Sequence, residues 1–208
     1  MKCWRCEGKG SVLIEASNGL GWISKICPVC HGKGEEKISK DDVLILVDVQ
    51  NAFRNAFTEP TIAILRNFLD EYKLSKVIAT KFVNYPESFF EKALDYKNGF
   101  TVQSQEIVPE LKPFASCVYL KDTYGCVNEG FLGQLKILNQ GVLPERVLLA
   151  GFNTEACILA MAIGLFDAGI QPCILADFVA SSEGFDMHNN GLVMLESLFG
   201  MHSILRLG

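Results

Sequence analysis

The chain has 208 residues, of which 49% are apolar, so it is long enough for one domain with a full hydrophobic core and a small additional module. Its 19 basic and 24 acidic residues leave a formal net charge of −5 at pH 7, and the absence of a basic tract argues against general nucleic-acid binding. The sequence shows no signal-peptide pattern and no apolar run long enough to span a bilayer, so we expect a soluble cytoplasmic protein.

The first feature along the chain is a repeated CxxCxGxG pattern, which supplies Cys3 and Cys6 in one copy and Cys27 and Cys30 in the other. Two thiolates two residues apart bind a zinc ion from one tight turn, and the glycines permit the positive φ angles of that turn. Four sulfur ligands complete a tetrahedron and leave no position for substrate. The pattern therefore predicts one structural zinc ion. His31 is an alternative ligand, and reduced or redox-active cysteines are the competing interpretation.

The segment between the two copies is predicted to form a β-hairpin. Residues 11–16 and 22–26 have strand-like patterns, and residues 17–21 are turn formers. A module of roughly 40 residues buries too little apolar surface to fold unaided, so a bound metal would supply the missing stability. We therefore divide the chain into a zinc-binding hairpin module at residues 1–38 and a second domain at residues 41–208.

In the second domain, apolar strand-like runs alternate with amphipathic helical stretches. Near-continuous runs of valine, isoleucine and leucine are typical of parallel strands buried on both faces. The pattern predicts an α/β fold, a three-layer αβα arrangement with a mostly parallel sheet and right-handed crossovers. The predicted strands are residues 43–49, 76–82, 116–120, 146–151 and 171–176, and the predicted helices are residues 61–72, 87–96, 129–138, 154–168 and 186–198.

Three chemically capable residues lie at the ends of predicted strands. Asp48 follows the run VLILV, Lys121 follows CVYL, and Cys157 follows VLLAG and a short turn. Each alone has an ordinary structural explanation, but the carboxyl ends of parallel strands meet at one edge of the sheet, where ligands bind. We expect a thiol near an ammonium group and a helix start to be shifted towards thiolate, with the carboxylate accepting its proton.

This part of the chain resembles the isochorismatase-like cysteine hydrolases, the family that includes nicotinamidases and N-carbamoylsarcosine amidase. The resemblance rests on VDVQNAF at residues 47–53, KDTYG at 121–125, GFNTEAC at 151–157 and the AD pair at 176–177. The N-terminal pattern resembles one zinc-binding half of the cysteine-rich region of DnaJ-type chaperones.

The resemblance implies that Asp48 is the general base, Lys121 its electrostatic partner and Cys157 the nucleophile. It implies hydrolysis of a C–N bond in a small amide-type substrate through a thioester on the cysteine. It also implies that the backbone N–H groups of Asn153 and Cys157 form the oxyanion hole, with a cis peptide bond between Phe152 and Asn153. Family members commonly form homo-oligomers, and we expect the same here.

The chain departs from the family pattern in a segment that bears on active-site metal binding and on the choice of substrate. The nicotinamidase subgroup has an Asp-x-His metal loop after the second strand, whereas this chain has ATKFVNYP at residues 79–86, with neither residue. We therefore expect no active-site metal, and nicotinamide becomes a less favoured substrate. Aromatic side chains with two amides are expected to line the pocket. The predicted pocket residues are Gln50, Phe53, Phe82, Asn84, Tyr124 and Phe152.

Two other functions remain open at the level of sequence. A vinyl-ether hydrolase of the isochorismatase type would use Asp48 without a cysteine nucleophile, and the presence of Cys157 argues against it. A non-catalytic protein would use the zinc module to bind a protein partner and the α/β domain as a scaffold. Retention of all three candidate catalytic residues argues against that interpretation.

The predicted domain division can be tested by removing residues 1–38. The truncated protein is expected to fold, because the second domain contains its own hydrophobic core. Circular dichroism and urea unfolding measure folding, and zinc content measures the loss of the predicted metal. A truncated protein that is unfolded, or that keeps its zinc, would contradict the division.

Overall fold

The computed structural model describes residue 9 and residues 11–15, 22–26 and 38–207. The chain divides into two compact units, Met1–Ser39 and Lys40–Gly208. In the first unit, strand β1 (Ser11–Glu15) pairs with the antiparallel strand β2 (Trp22–Ile26), with Ser11 opposite Ile26. The four predicted zinc ligands lie outside the described residues, so the zinc site stays a prediction.

The second unit contains six strands and six α-helices in its described residues. The strands and helices alternate along most of the chain, as the sequence predicts for an α/β fold. The strands are β3 (Val43–Val47), β4 (Lys76–Phe82), β5 (Cys117–Lys121), β6 (Arg146–Phe152), β7 (Gln171–Ala180) and β8 (Ile204–Leu205). The helices are α1 (Glu59–Tyr72), α2 (Phe89–Leu94), α3 (Val102–Gln105), α4 (Glu129–Leu138), α5 (Leu159–Asp167) and α6 (Phe185–Phe199).

The six strands form one sheet in the order β5-β4-β3-β6-β7-β8, and every neighbouring pair is parallel. Every residue of β3 and of β6 is buried, which explains the aliphatic sequence of β3 and the aliphatic run after Arg146 in β6. The edge strand β5 instead alternates between exposed and partly buried residues along most of its length. The sheet order places β3 and β6 side by side in the centre, although about 100 residues separate them in the chain.

The largest differences from the predicted elements occur at the carboxyl edge of the sheet. β3 ends at Val47 because Asp48 takes a left-handed backbone conformation, with φ of 49°. The predicted helix 154–168 divides into a π-helical turn (Thr154–Ile158) and α5. The short α3 and β8 were not predicted, since four- and two-residue elements carry little periodicity.

No helix in the described parts of the chain has the length and apolar character needed to cross a bilayer.

Gly151 provides a test of the contact between the two central strands. It has φ of +115°, and a Cβ placed there would lie 2.2 Å from the backbone oxygen of Val47. Substitution Gly151→Ala is therefore expected to lower the free energy of unfolding by about 2 kcal/mol or more, because the obstructing atom is backbone and cannot turn away. Urea unfolding measures the change.

The matched control is Gly133→Ala in α4, where an added Cβ meets no atom within 4 Å. This change is expected to raise the free energy of unfolding by up to about 1 kcal/mol, because alanine favours a helix. Equal effects at the two positions would contradict the proposed strand contact.

Candidate active site

The parallel sheet brings the three predicted catalytic residues together at its carboxyl edge. Asp48 directly follows the central strand β3, and Lys121 is the last residue of β5. Cys157 lies in the π-helical turn after β6, the strand that pairs with β3 on the other side. The three residues are separated by more than 30 positions in the chain, and only the strand order makes them neighbours.

A buried ion pair forms the base of the site. The Lys121 ammonium nitrogen lies 2.7 Å from Asp48 Oδ2, and both side chains are almost completely inaccessible to solvent. Lys121 also donates hydrogen bonds to the carbonyl oxygens of Thr123, at 2.8 Å, and Tyr124, at 2.9 Å. Burial acts to lower the pKa of Lys121, but the negative charge of Asp48 opposes it and the pKa is raised. The lysine therefore remains cationic at neutral pH.

Thr80 on β4 fixes the orientation of the Asp48 carboxylate. Its hydroxyl donates a 2.7 Å hydrogen bond to Asp48 Oδ1 and accepts a 3.1 Å hydrogen bond from the Asp48 backbone N–H. Apart from the ion pair with Lys121, Asp48 Oδ2 has no hydrogen-bond partner among the described residues. This oxygen therefore retains the capacity to accept a proton.

The Cys157 thiol lies beside the ion pair, with Sγ 3.5 Å from the Lys121 ammonium nitrogen. Burial, followed by the charge of Asp48, raises the pKa of Cys157 above the ordinary thiol range, while Lys121 opposes the shift. The sequence-based expectation of a shift towards thiolate was therefore wrong. It counted the nearby ammonium group but not the burial of the thiol, which is only 8% exposed.

The backbone before Cys157 has the predicted cis peptide bond between Phe152 and Asn153. The carbonyl oxygen of Asn153 accepts hydrogen bonds from the backbone N–H groups of Ala156 and Ile158, at 3.1 and 3.0 Å. The Asn153 side chain is held by Ser182, which bonds to both of its amide ends at 2.9 Å. These contacts fix the turn that carries the nucleophile.

A cavity of about 260 Å³ lies in front of Cys157. Three of the six predicted pocket residues line it, namely Phe53, Phe82 and Tyr124. The Lys121 ammonium nitrogen lies 5.4 Å from the centre of the Phe82 ring, so this ring contacts both the ion pair and the cavity.

The other three predicted pocket residues, Gln50, Asn84 and Phe152, have structural roles and are not among the lining residues. The Gln50 side chain is buried and bonds to both the N–H and the carbonyl group of Phe82. Asn84 donates to the carbonyl oxygens of Tyr96 and Asn98 and accepts from Ser88. Phe152 is completely buried in β6. Buried amides need hydrogen-bond partners, and here the backbone supplies them.

Several lining residues were missed by the sequence analysis. Phe90 and Leu94 lie on the short helix α2, and Tyr96 follows it. Glu155 belongs to the recognised nucleophile motif and Glu183 to a loop after β7, but neither position indicates that its side chain reaches a cavity. The aromatic spacing in residues 89–96 was the available signal, and it is equally typical of core packing.

Among the described residues, no group of three or more His, Cys, Asp and Glu side chains is arranged to hold a metal ion. The end of β4 and the segment after it, where the nicotinamidase subgroup has its metal loop, contain Lys81 and Asn84 instead of such ligands. The residues described around Cys157 therefore do not form a recognisable metal centre.

Comparison with known proteins identifies the family. The model of the isochorismatase domain matches residues 42–203, so this chain belongs to the isochorismatase family of hydrolases. The chain is 29% identical over 149 residues to isochorismatase domain-containing protein 2 of Danio rerio, an alignment that covers 71% of this chain and 67% of that protein.

Two solved structures show the same fold. Nicotinamidase from Bacillus subtilis is 21% identical with a TM-score of 0.61, over 77% of this chain and 97% of the other. N-carbamoylsarcosine amidase from Thermoplasma acidophilum is 19% identical with a TM-score of 0.63, over 80% and 95% of the two chains.

The charge of Asp48 raises the pKa of Cys157, so the substitution Asp48→Asn is expected to make the thiol ionise more easily. Removal of the negative charge leaves Lys121 as the charged neighbour, so the pKa of Cys157 is expected to fall. The pH midpoint for alkylation of Cys157 by iodoacetamide should therefore move lower, as followed by mass spectrometry of the Cys157 peptide. The variant is also expected to lose about 3 kcal/mol of stability, since a buried charge loses its partner.

The control is Asp70→Asn, which removes a negative charge from an exposed position on α1. Its alkylation profile should match that of the unmodified protein. A midpoint for Asp48→Asn that stays in place or moves higher, in protein shown to be folded by circular dichroism, would contradict the proposed electrostatics.

Proposed function

We propose that the chain is a cysteine amidohydrolase that cleaves the C–N bond of a small amide-type substrate. The observation that carries the proposal is the Asp48–Lys121–Cys157 cluster, which lies at the carboxyl edge of the sheet beside the cavity. The structural neighbours named as a nicotinamidase and an N-carbamoylsarcosine amidase support an amide substrate.

In the proposed first step, Asp48 accepts the proton of the Cys157 thiol as sulfur attacks the carbonyl carbon. The carbon–sulfur bond forms and the carbonyl becomes an oxyanion, which the backbone N–H groups of Asn153 and Cys157 stabilise. The C–N bond then breaks, and Asp48 returns the proton to the leaving nitrogen. The acyl group remains on sulfur as a thioester.

Water completes the proposed reaction. Asp48 accepts a proton from water as the oxygen attacks the thioester, and the proton returns to sulfur when the acid leaves. Lys121 holds the Asp48 carboxylate in place, since its ammonium group contacts Asp48 Oδ2. The raised pKa of Cys157 makes this base necessary, because few thiolates exist beforehand.

The alternative hydrolase would use Asp48 alone on a vinyl ether. The position of Cys157 beside both the ion pair and the cavity favours the cysteine mechanism instead. For the N-terminal unit, we propose a structural zinc ion at the four cysteines and a role in assembly or partner binding.

Cys157→Ala distinguishes the candidate functions. Ammonia release from a panel of small primary amides is expected to fall at least about 1,000-fold, because the nucleophile is lost. Hydrolysis of a vinyl ether at an undiminished rate by the variant would favour the vinyl-ether mechanism, and unchanged behaviour of the variant in cells would favour a non-catalytic role.

A positive control for the chemistry is mass spectrometry of the unmodified protein after rapid quenching, which should show an acyl adduct on Cys157. The matched control variant, Cys173→Ala, loses a buried thiol from β7 and should release ammonia at the rate of the unmodified protein. Failure of every amide, together with a Cys157 thiol that does not react with iodoacetamide even at high pH, would overturn the mechanism.

A further inference from the structure

The cavity in front of Cys157 has a distinct charge pattern. Its charged lining residues are Glu155 and Glu183, and no lysine, arginine or histidine of the described chain lines it. Lys121 lies beneath the nucleophile and is already paired with Asp48. A substrate therefore meets negative side chains in the cavity itself, whereas the cation of the catalytic cluster is neutralised.

Glu155 has an unsatisfied carboxylate oxygen. Its Oε1 accepts a 2.7 Å hydrogen bond from the hydroxyl of Ser181, which in turn accepts a 3.0 Å bond from the Glu183 backbone N–H. Its Oε2 is inaccessible to solvent and has no hydrogen-bond partner among the described residues. A buried anionic oxygen without a donor is unfavourable, and such groups occur where a ligand completes the hydrogen bonding.

Helix α6 holds the backbone of Glu155 in place. A Cβ at Gly191 would lie 2.6 Å from the Glu155 nitrogen, so only glycine permits this close approach. On the same helix, His188 Nδ1 lies 2.8 Å from the Thr154 hydroxyl. Burial lowers the pKa of His188, so at neutral pH this neighbour does not supply a positive charge to Glu155.

Aromatic rings form much of the remaining wall. The Phe90 ring makes edge-to-face contacts with Phe82 and Tyr124, each with centroids 4.9 Å apart. Tyr96 lines the cavity together with Cys157 and Glu183, and burial raises its pKa. Aromatic faces attract cations, and the attraction grows when the cation is removed from water.

We infer that the cavity selects amides that also carry a positively charged nitrogen, such as an ammonium or amidinium group, and that the Glu155 carboxylate attracts that nitrogen. The inference rests on the proposed function for the reaction itself. Glu183, which is exposed, adds attraction at the solvent side, and the aromatic rings contact the cation and its carbon chain.

A series of three amides of similar length tests the selection. 4-Aminobutanamide is cationic, pentanamide replaces the ammonium group by a methyl group, and glutaramate carries a carboxylate. For the full-length protein, kcat/KM is expected to be at least about tenfold higher for the cationic amide than for pentanamide, and lowest for glutaramate. The substitution Glu155→Gln should bring the ratio of kcat/KM for 4-aminobutanamide to that for pentanamide close to one, mainly by raising KM for the cationic amide.

Glu145→Gln is the matched control. Glu145 is exposed and directly precedes β6, at the opposite end of the strand from Cys157, so the variant loses the same charge outside the cavity. Its ratio should equal that of the unmodified protein. If Glu155→Gln fails to fold, Ser181→Ala provides a second variant, because it removes the hydroxyl that holds Oε1; its ratio should also fall.

Binding to full-length Cys157→Ala, measured by calorimetry with 4-aminobutanamide and pentanamide, separates failure of the inference from failure of the proposed function. Preferential binding of the cation without turnover in the unmodified protein would support the selection and overturn the amidohydrolase. Turnover in which pentanamide or glutaramate is preferred, with a ratio unaffected by Glu155→Gln, would overturn the selection alone. Equal binding with no turnover would overturn both.

Discussion

The ion pair between Asp48 and Lys121 is the interaction on which the site depends. Two charges without access to water are stable only when hydrogen bonds and opposite charge surround them. Here the ammonium group pairs with Asp48 Oδ2 and donates hydrogen bonds to two backbone carbonyls, and Thr80 bonds to the other carboxylate oxygen. Each partner comes from the end of a different strand or the loop after it, so the pair requires the complete order of strands β5, β4 and β3.

The same pair determines the state of the nucleophile. A thiol beside an unpaired lysine would ionise readily, but Asp48 neutralises Lys121 and burial opposes a thiolate. Both effects favour the thiol form of Cys157, so in the proposed mechanism the proton leaves sulfur as the substrate is attacked. Beyond the cysteine, the carboxylate of Glu155 and the aromatic rings give the cavity a negative and polarisable wall. In the proposed function, catalysis and substrate selection thus belong to different residues.

Much of the catalytic cluster was predictable because it follows from strand ends. Asp48, Lys121 and Cys157 each interrupt or follow an aliphatic run, and parallel strands bring such positions to one edge. The pocket was less predictable. Gln50 and Asn84 satisfy backbone groups instead of lining the cavity, whereas Tyr96 and Glu155 line it without a distinctive local pattern. A polar residue near an active site either bonds to backbone groups or lines the cavity, according to which backbone groups lie close to it. The spacing of residues along the chain does not show which groups those are.

The sequence by itself determined the α/β alternation, the candidate zinc ligands and the three residues of the proposed catalytic cluster, because periodicity, cysteine spacing and strand-end chemistry are local properties of the chain. Only the tertiary structure decided the protonation preference of Cys157, the shape of the cavity and the unsatisfied oxygen of Glu155. These properties depend on burial and on contacts between segments far apart in sequence, such as Glu155 with Ser181 and Asp48 with Thr80. Electrostatic free energies vary with the surrounding solvent and charges, and those surroundings exist only after the strands and helices have packed.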